Sequence, residues 1–370
     1  MLAKFSVSNF KGFKDTISLD LSCPRTYEFN LECIKNGVVN NTIIYGYNGI
    51  GKSNLGWAIF DLLEHLTDKR RPERFYKNYL NGDSNIPFAK FEYEFLINQH
   101  KVIYKYLKSD YKTIIGEWLE IDGTQCISYN RQKDSEFTCL LEGTESLRRE
   151  LKDDTISVLK YVKNNSILVD NDVNLIFSSL FDFINKMLLF KSVDIREYIW
   201  QDPNFEFIDE DIIDQGKVDD FQLFLNEAGI NCKLSVGDRN GRKTIFFNFK
   251  ETQIVFDDVA SAGTRSLMLF YAWYIQILKG NVDLVFIDEF DAFYHYELSR
   301  LIIRKLKESG VQFIVTTHNT TIMNNQIMRP DCLFLMDRNH IMPLCDCTEK
   351  ELREAHNIEK IYRAHAFRIS

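Results

Sequence analysis

The segment Gly46-Tyr-Asn-Gly-Ile-Gly51-Lys52-Ser53 carries the pattern G-x-x-x-x-G-K-[ST] in full. Glycines let backbone N–H groups wrap phosphate oxygens, and a helix starting at the lysine adds the positive end of its dipole. Lys52 is then placed to reach the β- and γ-phosphates of ATP, and Ser53 to offer a hydroxyl to Mg2+. Far downstream, the apolar run Val282-Asp-Leu-Val-Phe-Ile287 ends in Asp288 and Glu289. At the C-terminal edge of a strand, Asp288 suits a Mg2+ held through its water shell, and Glu289 suits the polarisation of an attacking water. A third apolar run, Phe313-Ile-Val-Thr-Thr317, ends in His318, whose imidazole can donate a hydrogen bond to a γ-phosphate. Ser261-Ala-Gly263-Thr264, before a helix running to about Leu278, is a good capping sequence. The same hydroxyl and free N–H groups would serve a second phosphate-binding surface. The chemistry these segments suit is transfer of a phosphoryl group from Mg2+-bound ATP to water.

The elements that must position these residues are legible as patterns. Residues 2–8 and 17–21 alternate as paired strands, with Lys11-Gly12 in the turn region. Thr42-Ile43-Ile44-Tyr45 reads as a buried strand entering the glycine loop, and Asn54 to about Leu66 as the helix leaving it. Residues 88–97, 101–107 and 111–121 predict an antiparallel meander, with turn residues at Asn98 and Asp122-Gly123. Helical patterns run from about Ser146 to Lys163 and from Asn174 to Phe190. The acidic stretch 202–220 reads as a solvated face or as a partner-docking patch. A hairpin at Asn240-Gly241 follows. From Phe256 onward helices alternate with apolar strands at 284–287 and 311–316, the pattern of a mostly parallel sheet with flanking helices.

At 370 residues the chain predicts two lobes, or one domain with a large insertion. Hydrophobic residues make up 45% of it, enough for a sizeable core. The net charge of −8 argues against a protein that coats nucleic acid, although a local basic face is compatible with it. The best basic-aromatic cluster is Lys69-Arg-Arg-Pro-Glu-Arg74-Phe-Tyr-Lys77, which is also what an exposed helix end looks like. Eight scattered cysteines show no C-x-x-C pair and read as reduced thiols. His356 and His365 have no metal-site spacing. No stretch reaches the roughly 18 apolar residues of a membrane span, and no leader opens the chain, so a cytoplasmic protein is expected.

The four chemistry-bearing segments, in this order, resemble the ABC-type ATPase head of the RecF, SMC and OLD branch. The resemblance implies a Walker A loop at 46–53, a signature at 261–264, Walker B at 284–289, a D-loop centred on Asp291 and a switch histidine at His318. It implies nucleotide contacts from Asn48, Gly49, Gly51, Lys52, Ser53, Asn54, Ser261, Gly263 and Asp291, metal contacts from Ser53 and Asp288, and catalytic roles for Lys52, Glu289 and His318. The opening Phe5-Ser-Val-Ser-Asn9-Phe10-Lys11-Gly12-Phe13 is similar to that branch's first hairpin. The fold class implied is α/β: an ABC-type head with a mostly parallel sheet, flanking helices and an antiparallel β lobe, plus an inserted mainly helical lobe. The head would comprise residues 1–140 and 233–370, and the inserted lobe 141–232. The signature departs from L-S-G-G-Q at Ala262 and Thr264, which argues against transport. No Q-loop is assigned among Gln99, Gln125, Gln132 and Gln201.

Such heads sandwich ATP between two copies, so the resemblance implies a homodimer or higher homo-oligomer with slow hydrolysis gated by association. Finer similarity lies in Asp288-Glu-Phe-Asp-Ala-Phe-Tyr-His295, in Thr317-His-Asn-Thr320 with Asn324 and Arg329-Pro330-Asp331, and in Glu351-Leu-Arg-Glu-Ala-His-Asn357 with Tyr362-Arg363-Ala364. It points to the compact AAA_15 ATPases of phage defence, of the AbiL/RloA type and the ATPase subunit of PARIS. That implies an abortive-infection, toxin–antitoxin-like ATPase that senses infection and controls a separate toxic effector, a nuclease for example. No acidic cluster of the TOPRIM nuclease kind follows His318. Two other readings stand beside it: a RecF-like repair ATPase that clamps DNA, and an ATP-ordered scaffold with little turnover.

Overall fold

The computed structural model of this chain describes residues 1–69, 76–191, 198–199, 208–292 and 294–369. Among them, seven strands form a central sheet in the order Tyr198–Ile199, Met187–Lys191, Leu284–Asp288, Gln312–Thr317, Asn41–Tyr45, Leu333–Met336 and Ile341–Pro343. The inner five run parallel, and the two edge strands are antiparallel to their neighbours. Asn41–Tyr45, Leu284–Asp288 and Gln312–Thr317 are buried at every position, as strands covered on both faces must be. A second, antiparallel sheet runs Thr138–Cys139, Thr124–Asn130, Ile114–Ile121, His100–Lys108, Ala89–Ile97, Leu2–Ser8, Ile17–Asp20. Burial along Ala89–Ile97 alternates, so that sheet packs one face inward and wets the other. The α/β architecture, with a mostly parallel sheet and an antiparallel one, is the fold class the sequence implies.

The helix Lys52–Ile59 lies between the two sheets. On one side a Cβ at Gly56 would come within 2.7 Å of the Phe286 ring, so only glycine lets helix and strand approach this closely. On the other side Tyr93 of the antiparallel sheet donates to the Ala58 carbonyl at 2.9 Å. Just beyond the helix end, Asp61 accepts from Tyr79 and Tyr106 and pairs with Lys108 at 2.8 Å. Lys108 is 0% and Asp61 3% exposed, so each charge is neutralised by the other where water cannot do it. Beside them Tyr104 donates to Glu117, so His65 Nε2, 2.7 Å from the same hydroxyl, must be the donor there. Burial holds His65 well below the usual imidazole range and hence neutral. A third clamp ties sheet to sheet: the buried Gln312 side chain accepts from Leu2 N at 2.7 Å and donates to Leu2 O at 2.8 Å.

Three elements differ from their sequence patterns. The helix expected from Ser146 begins only at Val158, after Ser157, whose hydroxyl caps it by accepting from Lys160 N. The helix expected to reach Phe190 ends at Asn185, and Met187–Lys191 is a strand of the central sheet paired in parallel with Leu284–Asp288. A short apolar run does not by its periodicity tell a buried strand from a buried helix. The stretch 141–232, expected as an inserted and mainly helical lobe, thus also gives a strand to the central sheet. Within the acidic stretch, Asp209 is buried and bound to Arg242 and Thr244, and Glu210 pairs with Arg242 at 2.7 Å. These contacts hold the helix Ile208–Asp214 to the hairpin Leu234–Arg239/Arg242–Asn248. Asp202 and Glu206 of that stretch lie outside the described residues.

Replacing Lys108 by Met should leave Asp61 charged and unpaired in the core, at a cost of about 3–5 kcal/mol of folding stability. Lys108→Met with Asp61→Asn should recover much of it. Urea denaturation of the two variants checks both outcomes.

Candidate active site

The parallel strands deliver their C-terminal ends to one edge of the central sheet. Asn41–Tyr45 opens there into the loop 46–51, with Gly46 N donating to Thr317 O of the neighbouring strand at 3.3 Å. Gly49 (φ 79°) and Gly51 (φ 111°) adopt backbone conformations that L side chains rarely take. A Cβ on Gly51 would also meet Phe13 at 2.8 Å, so the opening hairpin packs directly beneath the loop. The helix that follows has Gly51 at its N-cap, no side-chain cap and no acid in its first turn. Its first N–H groups are thus left for an anion. Tyr47, Asn48 and Gly49 lie exposed on the crest of the loop, and Asn54 is half-buried on the helix.

Lys52 is buried, and its ammonium donates to the carbonyls of Gly46 and Tyr47 at 2.7 and 3.0 Å. Burial lowers its pKa, opposed by the nearby carboxylates of Asp288, Glu289 and Asp291. Ser53 donates to Asp288 Oδ2 at 2.6 Å. The other Asp288 oxygen accepts from Thr316 Oγ1 at 2.7 Å, and Thr316 Oγ1 in turn accepts from Glu289 N at 2.9 Å. Asp288 is fixed in this way from a helix and a neighbouring strand. Glu289 takes a left-handed backbone (φ 51°), which costs a non-glycine residue of order 1–3 kcal/mol and concentrates at functional sites. The turn lifts its half-buried side chain out of the buried strand at the sheet edge.

The neighbouring Thr317 braces a second carboxylate. Its hydroxyl donates to both oxygens of the buried Asp291, at 2.7 and 2.9 Å, and accepts from Asn319 N at 2.9 Å. Burial raises the Asp291 pKa, opposed by that hydrogen bond and by His318 nearby. His318 stands exposed on the turn so braced. Lys52, Ser53, Asp288, Glu289, Asp291 and His318 are thus brought to one edge. Ser261 and Gly263 are not bonded into it. Ser261 Oγ caps the helix Ala262–Leu278 through Thr264 N at 3.1 Å, and among the described residues neither hydrogen-bonds to the loop 46–53.

The residues present fit a magnesium–triphosphate. The oxygens of Ser53 and Asp288 are hard donors in contact with each other, the uncapped helix start suits phosphate, and Lys52 supplies a cation. Among the described residues no group of three His, Cys, Asp or Glu side chains could hold a metal by itself, so the ion would need the nucleotide's own oxygens. Sequence patterns give no role to Thr316, Thr317 or Lys191. Lys191 ends its strand directly opposite Asp288, with Nζ 3.4 Å from Oδ2. The one signal for it is the apolar run Met187–Phe190, which reads equally as helix. Gln99, Gln125 and Gln132 lie on turns and a strand of the antiparallel sheet, away from the central sheet; Gln201 is outside the described residues.

Of the basic cluster 69–77, Lys69, Tyr76 and Lys77 are described, and Lys77 is exposed. Lys69 is buried, donates to Asn185 O and has its pKa lowered to about 8 by burial. Tyr76 stacks on Tyr111 at 4.1 Å. Arg70, Arg71 and Arg74 lie outside the described residues. The tail helix Ile358–Arg363 packs near the site instead, with Glu359 accepting from Thr320, just past His318.

Gly51→Ala adds a Cβ against Phe13 at a positive φ. It should weaken binding of a fluorescent ATP analogue by about tenfold or more and cost about 1–3 kcal/mol in denaturation.

Comparison with known proteins bears on the same residues. Solved structures similar to this chain include the SMC head domain from Thermotoga maritima, at 15% identity and TM-score 0.46, with 92% of this chain and 98% of that one covered. A second is an SmcHead bound to the C-winged helix domain of ScpA, at 16% identity and TM-score 0.49, covering 92% and 96%. A third, derived from Pyrococcus furiosus, is an Smc head domain with an extended coiled coil bound to the C-terminal domain of ScpA, at 12% identity, TM-score 0.48, covering 92% and 95%. Likeness at this level says nothing of the chemistry. No curated protein matches the chain. No described helix is long and apolar enough to cross a membrane. The sequence profile of AAA_21, described as "AAA domain, putative AbiEii toxin, Type IV TA system", matches residues 42–324. The matching profile is thus AAA_21, where the motif resemblance implied AAA_15. The matched span contains the phosphate loop, Asp288, Glu289 and His318, and the chain belongs to the AAA_21 family of ABC-type ATPases.

Proposed function

We propose that this chain is a slow, assembly-gated ATPase of an anti-phage, abortive-infection system, and that its ATP-bound state controls a separate toxic effector, a nuclease for example. The observation that carries the reading is the joined cluster of Lys52, Ser53, Asp288 and Thr316 at the strand ends, with Glu289 and His318 beside it. Bound there, Mg2+–ATP supplies the cleavable γ-phosphoryl group and the charge that draws a nucleophile to it. Ser53 and Asp288 would hold the metal ion, Lys52 the β- and γ-phosphates, and Glu289 would accept the proton of an attacking water. His318 would donate to the γ-phosphate.

Gating rests on Ser261 and Gly263. They present a capped helix start that is not bonded to the loop of their own chain, so a second copy would use them to close on the γ-phosphate. Asp291, buried against Thr317, would set the shape of the His318 turn at that junction. The family description names a toxin of a toxin–antitoxin system, which supports a partner rather than a solitary enzyme. The buried Lys69 takes one basic residue away from a DNA clamp.

Glu289→Gln should lower ATP turnover by about 10²–10⁴-fold while nucleotide affinity stays within a few-fold. Unchanged turnover would support the scaffold reading instead. The shared site makes a separate forecast. Lys52→Ala and Ser261→Arg should each be inactive, yet a mixture of the two should regain about a quarter of the wild-type rate, since half of the dimers are mixed and each keeps one intact site. No recovery on mixing would exclude a site built from two copies.

A further inference from the structure

Asp288 is 2% exposed, and three groups from three elements converge on its carboxylate. Ser53 and Thr316 are neutral donors at 2.6 and 2.7 Å, one on each oxygen. The charged one is Lys191, whose ammonium lies 3.4 Å from Oδ2, the oxygen that also accepts from Ser53. Parallel pairing of Met187–Lys191 with Leu284–Asp288 places Lys191 directly across from Asp288, each as the last residue of its strand. The lysine side chain is 20% exposed against 3% for the aspartate side chain, so the cation reaches the carboxylate from the solvent side. A charge-assisted N–H···O bond at its best measures about 2.7–2.9 Å. At 3.4 Å its contact with Asp288 is one of charge more than a directed hydrogen bond, and a stronger cation at Oδ2 can displace it.

We propose that Lys191 is a resident counter-ion that competes with Mg2+ for Asp288. It is a positioning residue: it neutralises the buried carboxylate while the metal is absent and must yield Oδ2 when the ion enters. The proposal rests on the reading of Ser53 and Asp288 as the metal residues. Its consequence is that half-loading of the site takes a higher Mg2+ concentration than the same carboxylate would need without the lysine. Without the lysine, the same carboxylate is open to the ion and more attractive to it.

The test is a Mg2+ titration of the full chain with a fluorescent ATP analogue held at fixed concentration, read as the half-saturating Mg2+. Lys191→Met and the polar Lys191→Gln should each lower it by about five- to tenfold, the effect of one unscreened charge near 4 Å in water. Lys191→Arg should restore the wild-type value, and Ser53→Ala should raise it. Two neutral variants guard against a failure to fold in either one. If Lys191→Met and Lys191→Gln both leave half-saturation unmoved or raise it while Ser53→Ala still raises it, the competition is refuted and the metal site stands. If the wild-type chain binds nucleotide with no Mg2+ dependence at all, the metal reading fails and takes this proposal with it.

Discussion

The contact on which the site depends is the hydrogen bond between Ser53 and Asp288, two residues 235 positions apart in sequence. It forms across the strand Gln312–Thr317, which lies in register between Leu284–Asp288 and Asn41–Tyr45, the strand that leads into the loop and helix of Ser53. That middle strand also supplies Thr316 to the second Asp288 oxygen and Thr317 to Asp291. A shift of one residue in either pairing would turn these hydroxyls to the opposite face of the sheet. Site geometry is therefore a property of sheet register before it is a property of any loop.

Register is protected in turn by what lies on each side of the sheet. The helix Lys52–Ile59 cannot drift, because Gly56 seats on Phe286 and Ala58 O accepts from Tyr93 across the other interface. Past its end, the Asp61–Lys108 pair stakes the chain to the antiparallel sheet at a place where neither charge would survive alone. Gln312 does the same for the first residue of its strand by bonding both backbone groups of Leu2. The antiparallel sheet thus acts as a stiff backing for the phosphate loop, and Phe13 beneath Gly51 is its nearest point of pressure on the loop.

Much of this was legible in the sequence. The glycine loop, the strand ending in Asp288-Glu289 and the strand ending in His318 are local patterns in which residue type and spacing carry the chemistry. The meander from 89 to 121 was legible for the same reason, through alternation and turn residues such as Asp122-Gly123, whereas its next strand, Thr124–Asn130, was not read. What was not legible depends on pairing at a distance. Met187–Lys191 has no alternation because both its faces are covered, so the strand that brings Lys191 to Asp288 looks in sequence like the end of a helix. The second role of Thr316, as acceptor from Glu289 and donor to Asp288, could not be inferred without the neighbouring strand. Asp209 reads as one acid in a solvated run, whereas Arg242, roughly thirty residues away, makes it a buried tie.

An edge of loop, carboxylates and histidine, in a chain whose Ser261 caps its own helix and not the loop 46–53, fits a device that uses ATP to set an assembly state. The most direct measurement is the mass of the protein in solution, by light scattering, with and without Mg2+ and a slowly hydrolysed ATP analogue. The account predicts that mass at least doubles when the nucleotide and Mg2+ are both present, and falls back when Mg2+ is chelated. A mass that stays constant while the analogue is shown to be bound would contradict it.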